Sequence, residues 1–96
     1  MDDHKEYSVH AYISGNVQGV GFRFFAVRRA RTYGITGWVR NLSDGRVEIR
    51  AEGIKDSLIM FLEEIKKGPG GAQVTDIDDQ WEEITLSRYD SFNISF

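Results

Sequence analysis

Cysteine is absent from the chain, which excludes disulfides, thiolate nucleophiles and zinc held by thiolates. No apolar run approaches membrane-spanning length and no charged-then-apolar leader opens the sequence. Cytoplasmic residence without membrane association is therefore the expectation, with secretion after leader removal as the alternative. Of the two histidines, His4 falls in the polar tail, and His10 alternates with serine and tyrosine on the polar face of a strand pattern with no Asp or Cys near it in sequence to form a relay. Acidic residues are missing altogether between Tyr7 and Ser43, although Asp and Glu outnumber Lys and Arg by 15 to 12 over the whole chain. The resulting net charge of −3 and pI near 5.3 argue against general nucleic-acid binding, which usually shows a basic domain or stripe. At 96 residues there is room for one two-layer core and one active site, with no separate substrate domain. We expect a single domain over 1–96, with a polar tail from Met1 to Glu6.

The acid-free stretch does contain arginine, at Arg23, Arg28, Arg29, Arg31 and Arg40. Within it the run from Val17 to Arg23 reads Val-Gln-Gly-Val-Gly-Phe-Arg, a glycine-punctuated loop leaving an alternating apolar segment and delivering an arginine at the start of a helical pattern. Amides freed by glycines, the open donors of a first helical turn and a guanidinium fork all favour a phosphate or carboxylate.

The flanking periodicities place this loop. Tyr7, Val9, Ala11 and Ile13 alternate with Ser8, His10, Tyr12 and Ser14, the signature of a strand with one buried face. Phe22, Ala26, Ala30 and Tyr33, with Phe25 and Arg29 beside them, recur at helical spacing until Gly34 stops them, which puts most of the arginines on the outer face. Ile35 to Asn41 reads as a second strand, Ser43-Asp44-Gly45 as a turn, and Val47, Ile49 and Ala51 as a third strand completing a hairpin. Ile54, Leu58, Phe61, Leu62 and Ile65 predict a second helix, ended by Lys66, Lys67 and Gly68-Pro69. A fourth, acidic, edge-like strand runs from about Ala72 to Glu83, and Phe92, Ile94 and Phe96 predict a short fifth. The expected fold is α+β and ferredoxin-like, βαββαβ in order: an antiparallel sheet, two helices on one face, and a short extra strand at the end of the chain.

The loop does not match a dinucleotide fingerprint, and no Lys-Ser or Lys-Thr follows it as a nucleotide-phosphate loop requires. Taken alone, its glycines serve a tight turn more often than a site. Arg23 shifts that balance, because a cation in a helix's first turn is opposed by the helix dipole by roughly 0.3–1 kcal/mol, and a bound anion offsets it. Asn41, beside the hairpin turn, is either ordinary turn chemistry or a carboxamide able to hold a water in line with a phosphorus atom. Ser14 has no partnered base. Asp76, Asp78 and Asp79 lack calcium-loop spacing and read as a charged strand edge. Trp38 and Trp81 read as core or half-buried strand residues. No metal or cofactor is implied. A single-stranded RNA-binding sheet is disfavoured, since strand three offers Arg46, Glu48 and Arg50 in place of an aromatic signature.

The stretch Ile13-Ser-Gly-Asn-Val-Gln-Gly-Val-Gly-Phe-Arg23, followed by Gly37-Trp-Val-Arg-Asn41, Gly45-Arg-Val47 and Gly53, resembles the two signatures of the acylphosphatase family in order and spacing. Gly68-Pro69 and Phe92-Asn-Ile94 extend the resemblance over nearly the whole chain. It implies a metal- and cofactor-independent hydrolase of small acyl phosphates that releases carboxylate and inorganic phosphate; the small size and acidic edge strand give no sign of a dimer, and neither a nucleic acid nor a membrane partner is expected. It further implies that Arg23 binds the phosphate, that Asn41 positions the attacking water, and that the loop donors come from Asn16, Val17, Gln18, Gly19, Val20, Gly21 and Phe22. Leu42 stands where many members have threonine, so a hydroxyl orienting Asn41 has to come from elsewhere, with Ser43 as the candidate. The alternative is a non-catalytic anion-binding module on the same fold.

Overall fold

The computed structural model describes residues 5–96. Its elements are β1 (Glu6–Asn16), α1 (Phe22–Thr32), β2 (Thr36–Asn41), β3 (Val47–Ile54), α2 (Lys55–Lys67), β4 (Gln73–Ile84) and β5 (Phe92–Ile94). Alternation in β1 becomes sidedness: Val9, Ala11 and Ile13 are fully buried, while His10 and Tyr12 on the opposite face are half-buried. In β3, Val47, Ile49 and Ala51 join the same core. Each helix lays one stripe on it, Phe22, Ala26 and Ala30 from α1 and Leu58, Phe61, Leu62 and Ile65 from α2, the spacing that a 3.6-residue period demands.

The sheet runs β4-β1-β3-β2-β5. Its first four strands pair antiparallel, as expected. β5 adds to the free edge of β2 in parallel, so the five-stranded sheet is mixed. The cause is the route of the chain, which leaves one sheet edge at Ile84 and reaches the other through residues 85–91. Phe92 secures the arrival, fully buried and edge-on to Phe61 with ring centroids 5.9 Å apart.

Some boundaries differ from the sequence pattern for identifiable reasons. Ile35 closes α1 and does not open β2, because its N–H donates to the Ala30 carbonyl at 2.9 Å. Ile54, expected on the buried face of the second helix, is the last residue of β3 and is 39% exposed. Phe96 does not continue β5 and lies fully exposed. Trp81 is also exposed, at the β4 edge. Of the polar stretch 1–6, residues 1–4, His4 among them, lie outside the described residues, and Glu6 already pairs with Ile54 and Ile84.

The face away from the helices is partly closed by residues 85–91. Arg88 reaches the fully buried Glu52 carboxylate through Nη2 at 2.6 Å, Nε at 3.1 Å and its main-chain N–H at 2.9 Å, and the Ser87 hydroxyl donates to the same carboxylate at 2.9 Å. Burial pushes the Glu52 carboxyl up, but Arg88 and the Ser8 and Ser87 hydroxyls outweigh it and leave it below its ordinary 4.5. A depressed carboxyl contributes stability in full above its unfolded value, and that contribution is lost as pH falls through the folded value. Chemical denaturation from neutral pH down to about pH 3 should therefore show Glu52→Gln less stable than the native chain at neutrality and less sensitive to acid. Parallel pH curves for the two proteins would refute an ionised Glu52.

Candidate active site

The site is assembled where β1 hands over to α1. Val17 is buried beneath the loop, while Gly19 and Gly21 take φ of 75° and 76°, a left-handed region that costs other L-residues roughly 1–2 kcal/mol. Gly21 is the residue preceding α1, and having no side chain it cannot cap the helix. Among the described residues the N–H groups from Gly19 to Phe24 meet no protein acceptor outside the helical ladder, whose first bond is donated by Phe25 to the Gly21 carbonyl at 3.0 Å. A row of amide donors is left open at the positive end of the helix.

Arg23 occupies the first turn of α1 and is half-buried. Arg29, Arg40, Arg46, Arg50 and Arg88 each have a carboxylate within salt-bridge range, and Arg23 has none among the described residues. Its guanidinium carbon instead sits 5.7 Å from the centre of the Phe96 ring. Asn41 ends β2 opposite Val47, so the register turns its side chain to the helix side of the sheet. There its Oδ1 is buried with no hydrogen-bond partner among the described residues. Ser43, the compensating hydroxyl expected from the sequence, is exposed on the turn and makes no side-chain hydrogen bond to Asn41.

Arg23 and Asn41 meet around one recess of about 110 Å³, lined by Val17, Gly19, Gly21, Phe22, Arg23, Phe24 and Asn41. Of the other loop residues expected at the phosphate, Asn16 is exposed and pairs with Gln73, Val20 packs against the core, and the side chain of Gln18 turns elsewhere. Its Nε2 donates to the Leu42 carbonyl at 2.7 Å and to the Arg46 carbonyl at 2.9 Å, tying the loop to both ends of the turn that follows Asn41. Phe24 was not singled out from the sequence. The signal was present: it is an apolar residue out of phase with the Phe22, Ala26 and Ala30 stripe, and it is 67% exposed.

His10 lies on the opposite face of the sheet. It pairs with Arg50, whose neighbours Ile49 and Ala51 face the helices, and its Nε2 lies 2.6 Å from Glu48 Oε2. A roomier hollow of about 230 Å³ between α2 and β4 sets the carboxylates of Glu63 and Asp79 in its lining with Lys66. The recess at Arg23 has no carboxylate side chain in its lining among the described residues. Open amides, a helix N-terminus and one guanidinium can hold a small oxyanion there.

The fold and recess define an oxyanion-suited ferredoxin-like domain. The family model described as acylphosphatase matches residues 9–94. An acylphosphatase from Bacillus licheniformis is 49% identical over 84 residues, covering 88% of this chain and 92% of the relative. One from Salinibacter ruber is 48% identical over 94 residues and covers 98% of both chains. The crystal structure of acylphosphatase from Bacillus subtilis superposes with a TM-score of 0.89 at 39% identity, over 94% of this chain and 99% of that one. The chain belongs to the acylphosphatase family. Its activity is the hydrolysis of acyl phosphates, a reaction at an acid anhydride.

The Gln18 tie makes a prediction of its own. Replacing Gln18 by Ala leaves two carbonyls without their shared donor and should cost about 1–3 kcal/mol in denaturant unfolding, with faster amide exchange at Leu42 and Gly45. Unchanged unfolding and exchange would show that the tie is not made in solution.

Proposed function

We propose that Arg23 and the loop amides from Asn16 to Phe22 hold the phosphoryl group of an acyl phosphate, and that Asn41 aims the attacking water. The observation that supports this most directly is the buried, unpartnered Oδ1 of Asn41 in the same recess as Arg23. A buried acceptor left without a donor costs about 1–3 kcal/mol, and a water that donates to it removes the cost while being held at the phosphorus.

The chemistry needs little more. An acyl phosphate is a mixed anhydride, and its leaving group is a carboxylate that departs without being protonated. The bond from water oxygen to phosphorus forms as the bond from phosphorus to acyl oxygen breaks, and the electron pair leaves with the carboxylate. The proton of the water passes late to a phosphoryl oxygen. Positioning and charge stabilisation carry such a reaction, and the open amides and Arg23 supply charge of the right sign. No general base is required, in keeping with a lining that has no histidine or carboxylate. The same reading takes the protein as a cytoplasmic monomer that works without metal, cofactor or nucleic acid. The exposed Asp76, Asp78 and Asp79 on edge strand β4 support the monomer, because a charged edge resists sheet-to-sheet pairing.

Arg23→Gln should lose both inhibition by inorganic phosphate and turnover of benzoyl phosphate, the latter by about 10²–10³. Asn41→Ala should lose turnover on a similar scale, about 10²-fold, and keep phosphate inhibition. Turnover retained by Arg23→Gln would rule the site out. Separately, His10→Gln is expected to leave the pH–rate profile unchanged, because His10 faces away from the recess. A kinetic ionisation that disappears in this variant would contradict a mechanism without a side-chain base.

A further inference from the structure

We propose that Phe24 and Phe96 form an apolar lip over the phosphate recess that receives the acyl group of the substrate, so that aromatic and bulky apolar acyl phosphates are turned over in preference to acetyl or carbamoyl phosphate. This rests on the phosphate-site reading and adds what that reading leaves open, the acyl class. A recess of about 110 Å³ lined by the loop, the first turn of α1 and Asn41 suits a phosphoryl group and its water. The acyl chain must then lie across the rim.

The rim is aromatic. Phe24 lines the recess, yet 67% of its surface is exposed, and its position off the buried stripe of α1 gives it no role in packing the core. Phe96 is 100% exposed and presents its ring to the Arg23 guanidinium at 5.7 Å. One large apolar side chain thus borders the recess and another borders the cation that faces it, each open to water. An apolar acyl group laid between them would remove that surface from water, an effect proportional to the area covered. A methyl or amino acyl group is too small to cover it.

Steady-state kinetics with benzoyl phosphate and acetyl phosphate test the lip, with inhibition by inorganic phosphate as the control for the recess. In Phe24→Ala the ratio of kcat/KM for benzoyl over acetyl phosphate should fall by about tenfold, and Phe24→Leu should restore part of it. Phe96→Ala should lower the ratio as well, and it should also weaken phosphate inhibition, because Arg23 loses its stacked partner. A ratio unchanged in both alanine variants, with phosphate inhibition in Phe24→Ala like that of the native chain, overturns the lip and leaves the phosphate site standing. Failure of the phosphate site reads out elsewhere, as native phosphate inhibition in Arg23→Gln.

Discussion

The first turn of α1 cannot satisfy its own amides, and the chain does nothing to help it. Helices commonly begin with a serine, threonine or aspartate whose side chain caps those donors, a feature worth about 0.5–2 kcal/mol. Here the position is Gly21, with φ of 76° and no side chain to offer. The same substitution that leaves the helix uncapped bends the backbone so that the open N–H groups crowd around a small recess. Arg23 adds a second mismatch, a cation at the positive end of a helix dipole with no carboxylate beside it among the described residues. Both costs are removed by one small anion. The first turn of α1 is therefore less stable locally than its sequence could have made it, at the place where the proposed ligand would restore the balance.

The other face of the sheet shows what this chain does with charge where no ligand is involved. Glu52 is enclosed by Arg88, Ser87 and Ser8, and Glu48 by His10 and Arg40, with His10 Nε2 at 2.6 Å and Arg40 Nε at 2.7 Å. Burial raises the Glu48 carboxyl, and its two partners more than reverse that. Buried carboxylates are thus paired on one face, while the first turn of α1 keeps a half-buried guanidinium without a counter-ion among the described residues. Breaking a buried pair is costly, so the paired carboxylates are committed to the fold, whereas the guanidinium of Arg23 has no ion pair to break among the described residues.

Periodicity made most of this legible. The two-residue alternation of β1 and β3 and the Phe22, Ala26, Ala30 and Leu58, Phe61, Ile65 stripes placed both helices and the core, because burial on one face is a strictly local pattern. What failed was decided by contacts distant in sequence. Ile35 was claimed by a helix-ending hydrogen bond to Ala30, Ile54 by the register of β3 with β1, and the direction of β5 by the crossing of residues 85–91. At the site, the type and spacing of Arg23 and Asn41 could be read, but not that β2 register turns Asn41 toward the helices. The Gln18 tie was hidden for the same reason: it joins residues 24 and 28 positions apart, and nothing in the loop's composition announces a partner on a hairpin.

That tie also bears on Leu42. Where a hydroxyl follows the asparagine, it can hold the carboxamide through its side chain. Leucine cannot, and Ser43 does not take its place. The orientation of Asn41 is set here through the main chain: its position at the end of β2 by the ladder with β3, and the turn that follows it by Leu42 N–H donating to the Arg46 carbonyl at 2.8 Å and by Gln18 bonding the carbonyls at both ends. Such an arrangement holds Asn41 while leaving its Oδ1 unsatisfied, whereas a neighbouring hydroxyl donating to that oxygen would compete with the water for it. The missing hydroxyl thus removes one means of orienting the carboxamide and leaves Oδ1 open as an acceptor, which is what the role proposed for Asn41 requires. Because Gln18 belongs to the same loop as the open amides, its two hydrogen bonds fix that loop directly to the turn following the strand end that carries Asn41.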